Sequence, residues 1–197
     1  MKIIDTHSHL WLKQDTSWNG LPIRSMKNGR SIFLGEEVQM IPPFIIDGVN
    51  SAEVFLSNMD YAQVSAAVVV QELIDGCQND YLLEVSRKYP DRFITCGMCD
   101  YFTEGLEDQA KSLIDKGFKG IAIPGHRLIL DDRRVMLDLP EMIEMFKLME
   151  KEDVFLSITL ADGDAQVGEM KTVIQECPDL RIAIGHFGMP TRENWLE

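Results

Sequence analysis

No apolar run in this chain approaches the roughly 18 residues that a membrane-spanning helix needs, so no such helix is expected. The N-terminus meets an acidic residue at Asp5 and has no signal-peptide core. Cysteine is sparse: 4 in 197 residues do not make a disulfide framework and point to a reducing, cytoplasmic setting. Positive charge is short as well, with 19 Lys and Arg against 32 Asp and Glu, a net charge of −13. That field repels nucleic acid and anionic membranes, while a site with local positive charge still admits an anionic substrate. The Gly-rich dinucleotide fingerprint is missing after the first strand, and a P-loop is missing throughout. What remains is ordinary for one globular domain over residues 1–197, with 45% hydrophobic residues and enough chain for a sizeable core.

Strand-like and helix-like runs alternate along the chain. The first strand, Lys2 to Leu10, is followed by Ser65–Gln71, Phe93–Cys99, Lys119–Pro124, Val154–Leu160 and Arg181–His186. Several are almost wholly apolar, as parallel strands buried on both faces are. Between them lie five helical segments with start and stop signals. Asn50-Ser51 caps Ala52–Tyr61, Pro90 ends Asp80–Tyr89, and Gly117 ends Glu104–Lys116. Pro140 opens Glu141–Lys151, and Asp164 caps Ala165–Cys177 before Pro178. This order reads as a TIM-type (β/α) barrel or a doubly wound sheet, and metal-type residues at strand ends favour the barrel. The methionines Met136, Met142, Met145 and Met149 recur at helical spacing and read as core. Cys96 and Cys99, three apart in a strand, fall on opposite faces and read as packing residues.

Two intervals depart from the pattern. Residues 11–50 separate the first strand from its helix, far more than a usual loop. Within them Ile23–Lys27 and Arg30–Leu34 flank Asn28-Gly29, a two-residue hairpin signal, and the expectation is a hairpin lid over the barrel mouth. The chain also carries about six of the eight βα units of a closed barrel. Three readings stand: a truncated product, a homo-oligomer that completes the open barrel, or a barrel opened into a sheet.

Histidine is scarce, with 4 in all. His7 and His9, one residue apart on a strand, share a face and can chelate a divalent cation. His186, between Gly185 and Phe187-Gly188 at the end of the sixth strand, is a candidate metal ligand or acid–base group over the same mouth. Asp5 either orients an imidazole or serves as a buried acceptor below the site. Behind the fourth strand, Arg127 is the candidate clamp for a carboxylate, with His126 donating beside it. Arg133 and Arg134 read as loop charges paired with neighbouring aspartates. Gln71, Glu72 and Asp100 end strands, and each alone reads as structural.

Ile4-Asp5-Thr6-His7-Ser8-His9-Leu10-Trp11, Met59-Asp60, Tyr89-Pro90-Asp91-Arg92-Phe93, Gly117-Phe118-Lys119-Gly120-Ile121 and Gly185-His186-Phe187-Gly188-Met189-Pro190 together resemble the amidohydrolase superfamily. Within it they resemble the amidohydrolase 2 branch of lactonases and metal-dependent decarboxylases, along essentially the whole chain. The resemblance implies a (β/α)8 barrel in which His7 and His9 match the strand-one metal ligands and His186 the strand-six histidine. It implies a divalent metal, zinc first, which some lactonase members dispense with. The decarboxylase-type histidine after strand five is absent from Phe155-Leu156-Ser157-Ile158-Thr159-Leu160-Ala161-Asp162, and the strand-eight aspartate would lie beyond residue 197.

The leading expectation is therefore a hydrolase that opens a small carboxylated lactone, with Arg127 holding the carboxylate and His7, His9 and His186 activating the carbonyl. A decarboxylase of the same branch is the alternative. A related nuclease fits poorly with the acidic surface. From another class, a non-catalytic barrel fragment acting as a subunit or binding protein stands beside both.

Overall fold

The structure is a computed structural model and describes residues 2–12 and 14–191. Two compact units divide the chain, Met1–Ile94 and Thr95–Glu197. In the first, β1 (Ile4–Ser8) pairs in parallel with β6 (Ala66–Val69), through Ile4↔Ala66, Asp5↔Ala67 and Ser8↔Val69. The register shifts between Asp5 and Ser8, where the strand carries the histidines. Two helices belong to this unit, α1 (Ala52–Tyr61), capped by the Ser51 hydroxyl, and α2 (Asn79–Lys88), with Arg87 and Lys88 in its last turn. Leu10, Trp11, Ile23, Ala67, Val69, Leu82 and Val85 are among its buried apolar residues. The start of β1 is not buried: Ile4 is 52% exposed, and among the described residues β1 pairs with β6 alone, so the apolar run there does not mean burial on both faces.

The long interval after β1 folds into a sheet of its own. β2 (Asp15–Trp18), β3 (Leu21–Ser25), β4 (Arg30–Phe33) and β5 (Glu36–Gln39) form a four-stranded antiparallel meander. Trp18 pairs with Leu21 and Phe33 with Glu36, so Asn19-Gly20 and Leu34-Gly35 are two-residue turns with all four residues at positive φ. The Asn28-Gly29 turn takes a looser form: Met26 N–H donates to Arg30 O, and Lys27–Gly29 make a three-residue loop with Asn28 and Gly29 both left-handed. Trp11 and Asn50 close the whole excursion by exchanging two 3.0 Å backbone hydrogen bonds. The Trp11 indole adds a bond to Gly48 O.

In the second unit β7 (Phe93–Gly97, which begins in the first), β8 (Gly120–Ile123), β9 (Phe155–Ile158) and β10 (Ile182–Ile184) run parallel in that order. Gly120 pairs with Phe155, and Ile184 with Ile158. Helices α3 (Leu106–Lys116), α4 (Gly125–Leu130), α5 (Pro140–Lys151) and α6 (Val167–Glu176) fill the intervals. Gly117, at φ 108°, stops α3 as its N–H returns to Ile114 O. Met142, Met145, Phe146 and Met149 of α5 are fully buried, the helical spacing of these methionines put to use as core, whereas Met136 precedes the helix and is only half-buried. Cys96 and Cys99 are both buried and neither is in a disulfide, and burial pushes the Cys96 thiol well up. The six parallel strands alternate with helices as in a TIM-type (β/α) barrel. Among the described residues, no helix is long and apolar enough to cross a membrane.

Candidate functional site

In the first unit, period-two geometry brings the first histidine pair together. Nε2 of His7 and Nε2 of His9 lie 3.3 Å apart, with their rings at 68°. Two nitrogens bound to a tetrahedral cation at about 2.1 Å stand roughly 3.4 Å from each other, so the pair has the bite of a chelate. His9 is fixed at its backbone, where O accepts from Asn50 Nδ2 at 2.7 Å. Its buried Nδ1 has no hydrogen-bond partner and faces Asp75 Oδ2 across 3.5 Å. A metal-bound imidazole ordinarily gives its second nitrogen to a carboxylate, and Asp75 stands where that carboxylate belongs. The donor chemistry therefore fits a divalent cation as far as two ligands. Among the described residues, no group of three His, Cys, Asp or Glu side chains is gathered to hold one.

Asp5 settles into a different role from that of an imidazole partner. Its Oδ1 accepts from the His7 backbone N–H at 3.1 Å and so shapes the strand rather than the ring. Gln71 and Glu72 are structural as read: Gln71 ties Asn79 and the Gln78 N–H, and Glu72 caps its own turn at Leu73. Asp100 likewise accepts from Phe102 N within a local turn.

The second unit gathers the other residues. His126 and Arg127 lie in the first turn of α4, directly after β8, and His126 N–H donates to Thr159 O at 3.1 Å. Gln166, almost wholly buried, bridges the loops beneath: its Oε1 accepts from Ala161 N at 2.8 Å and its Nε2 donates to Gly125 O at 3.2 Å. Burial drives the His126 imidazole down to about 4; the Arg127 and His186 charges push the same way, and Asp162 pulls against them. At neutral pH the ring is therefore uncharged, with one donor and one acceptor nitrogen. His186 comes two residues after β10 ends and is exposed. It opens four consecutive left-handed residues, His186, Phe187, Gly188 and Met189, a turn tied by Gly163 N–H to Met189 O at 2.8 Å. Arg133 pairs through two nitrogens with Asp131 and lies 3.4 Å over the Phe102 ring, as a loop charge rather than a ligand for substrate.

Asp75 and Gln14 are the residues that sequence reading missed. Neither belongs to a motif, and Asp75 sits in a short 3-10 turn, Leu73–Asp75, 66 positions beyond its histidine partner. A buried aspartate flanked by Gly76 is a weak signal that points to a turn, not to a site.

Residues 4–197 match the family described as Amidohydrolase. No curated protein matches the chain. Among solved structures, a probable 2-pyrone-4,6-dicarboxylic acid hydrolase from Acinetobacter baumannii, with citric acid bound, superposes with a TM-score of 0.57 at 16% identity, covering 98% of this chain and 73% of that one. An amidohydrolase 2 from Bifidobacterium longum subsp. infantis gives 0.58 at 16% identity over 98% of this chain and 65% of that one. A dihydroxybenzoic acid decarboxylase from Polaromonas sp. JS666, with manganese and an inhibitor bound, gives 0.54 at 15% identity over 72% and 56%. The chain thus spans less than two thirds of the last two, and at these identities the likeness establishes the fold.

Proposed function

Since this chain belongs to the amidohydrolase family, we propose that it hydrolyses a small carboxylated substrate by opening a lactone ring. The observation that carries this reading is the 3.3 Å approach of the His7 and His9 Nε2 atoms, a chelating pair that ordinary packing does not require. A divalent cation, zinc first, would supply polarisation of the lactone carbonyl. His7 and His9 would hold it through Nε2. His186 takes the ligand or acid–base role that the resemblance gives to the histidine after the sixth parallel strand. Arg127 binds the substrate carboxylate with its planar fork, and the uncharged His126 beside it donates one hydrogen bond without adding charge. In the reaction, water adds to the acyl carbon, the ring C–O bond breaks, and the ring oxygen leaves with a proton as an alcohol or enol. The product gains a carboxylate. The setting we propose is a reducing, cytoplasmic one, on the low cysteine count of 4 in 197 residues.

Decarboxylation is the second reading, favoured by the dihydroxybenzoic acid decarboxylase that shares the fold. Against it stands Thr159, which follows β9 where the decarboxylase-type histidine is expected and whose carbonyl is engaged by His126 N–H. A direct assay separates the two. The zinc- or manganese-loaded chain is given a 2-pyrone dicarboxylate, followed by ring absorbance, and a dihydroxybenzoate, followed by carbon dioxide release. Ring opening that is lost in His9→Ala supports the lactonase reading, and carbon dioxide without ring opening replaces it with the decarboxylase. Neither activity, with a ligand still bound, leaves the non-catalytic binding protein.

A further inference from the structure

We infer that Asp75 is the positioning residue of His9, and that the meander over residues 15–39 braces Asp75 through Gln14. The inference rests on the proposed role of His9 as a ligand and extends it to what sets that imidazole's orientation and tautomer.

Each carboxylate oxygen of the buried Asp75 has its own neighbour: Oδ1 accepts from Gln14 Nε2, and Oδ2 faces His9 Nδ1. The amide of Gln14 is oriented without ambiguity. An ionised carboxylate only accepts, so the nitrogen side is the one turned to Asp75, and Oε1 accepts from the Ser25 hydroxyl at 3.0 Å. Ser25 and Gln14 are further locked by Ser25 N–H to Gln14 O at 3.1 Å and Gln14 N–H to Ser25 Oγ at 3.2 Å. The turn that carries Asp75 is gripped at two more points. Thr16 Oγ1, on β2, donates to Ile74 O at 2.5 Å, and Gln78 Nε2 donates to Asp75 O at 2.9 Å. The excursion between β1 and α1 is therefore built into the site as a brace.

The chemical consequence is a choice of tautomer. A carboxylate facing Nδ1 favours the Nδ1–H form of the neutral ring and leaves the lone pair on Nε2, the nitrogen turned to His7. Without a cation, His7 Nε2–H can donate into that lone pair. With one, the lone pair is the ligand. In Asp75→Asn, Gln14 still donates to the amide oxygen, so the new NH2 faces His9 Nδ1. That reverses the preference to Nε2–H and blocks the ligand atom, a change that leaves volume and packing intact.

The test uses the full chain with histidine-labelled 15N NMR in the metal-free state and zinc titration by calorimetry. The wild type is expected to hold His9 mainly as Nδ1–H. Asp75→Asn is expected to shift it to Nε2–H and to weaken zinc binding about 10–100-fold with an unchanged circular dichroism spectrum. Ser25→Ala, which loosens the Gln14 amide without touching Asp75 or His9, is expected to give a partial shift and supplies the same readout if Asp75→Asn does not fold. An unchanged tautomer in the folded variants overturns the inference. A wild type that binds no zinc overturns the metal reading instead, while the tautomer shift still decides the role of Asp75.

Discussion

Nε2 of His7 and Nε2 of His9 stand 3.3 Å apart, close enough for one cation to bind both and too close for both to carry a proton comfortably. Removing either nitrogen removes the chelate. His7→Ala and His9→Ala are each expected to weaken zinc or manganese binding by more than about 100-fold, beyond the usual effect of losing an outer partner. The double variant is expected to add little, because the pair acts as a unit. Calorimetric titration checks this, and near-wild-type affinity in either single variant would refute the chelate.

His126 makes the stability pH-dependent in a defined window. In the folded chain its pKa is about 4, against an ordinary value near 6.5 once unfolded. Between those values the unfolded state binds a proton that the folded state refuses. Stability is thus present above about pH 6.5 and lost as pH falls towards 4. With allowance for the ring's partial exposure to solvent, the loss is about 1–2 kcal/mol. Urea unfolding at pH 7 and pH 4.5 should show this drop in the wild type and a smaller one in His126→Gln; an equal drop in both would count against it.

Gln166 satisfies two buried backbone groups at once, Ala161 N–H and Gly125 C=O, and so anchors the start of the helix that bears His126 and Arg127. Gln166→Leu keeps the volume and strands both groups. A loss of about 2–6 kcal/mol is expected in chemical denaturation, from roughly 1–3 kcal/mol for each of the two unpaired buried groups.

Two glycines of the meander should respond differently to alanine. At Gly29, φ is +71° and a Cβ would lie 2.3 Å from Ile41 O and 2.5 Å from Pro42 O, both backbone atoms that cannot step aside. Gly29→Ala is expected to cost about 2–4 kcal/mol from strain and overpacking together. At Gly20 φ is +74° with nothing within 4 Å, so only the left-handed penalty of about 1 kcal/mol applies. Thermal melting of both variants side by side tests the difference.

Much of the architecture was legible because its signals are local. Gly117 stops α3 and Pro140 opens α5 through backbone geometry that needs no distant partner. Helix α4 went unread because Gly-His-Arg-Leu-Ile-Leu is too short to show a period. Asn19-Gly20 carried the same turn signal as Asn28-Gly29 and makes the true two-residue hairpin, whereas Met26 and Arg30 pair to widen the second into three. Dipeptide chemistry names a turn; the pairing of the flanking strands sets its length.

The sequence by itself determined the alternation of strands and helices and the shared face of His7 and His9. Hydrophobic period and the two-residue repeat of a strand are properties of neighbouring residues. Only the tertiary structure decided that Asp75 faces His9, that Gln14 and Ser25 orient that carboxylate, and that His126 is held uncharged. Those facts depend on burial and on register between segments tens of residues apart, where side chains meet through the packing of the whole and not through their place in the chain.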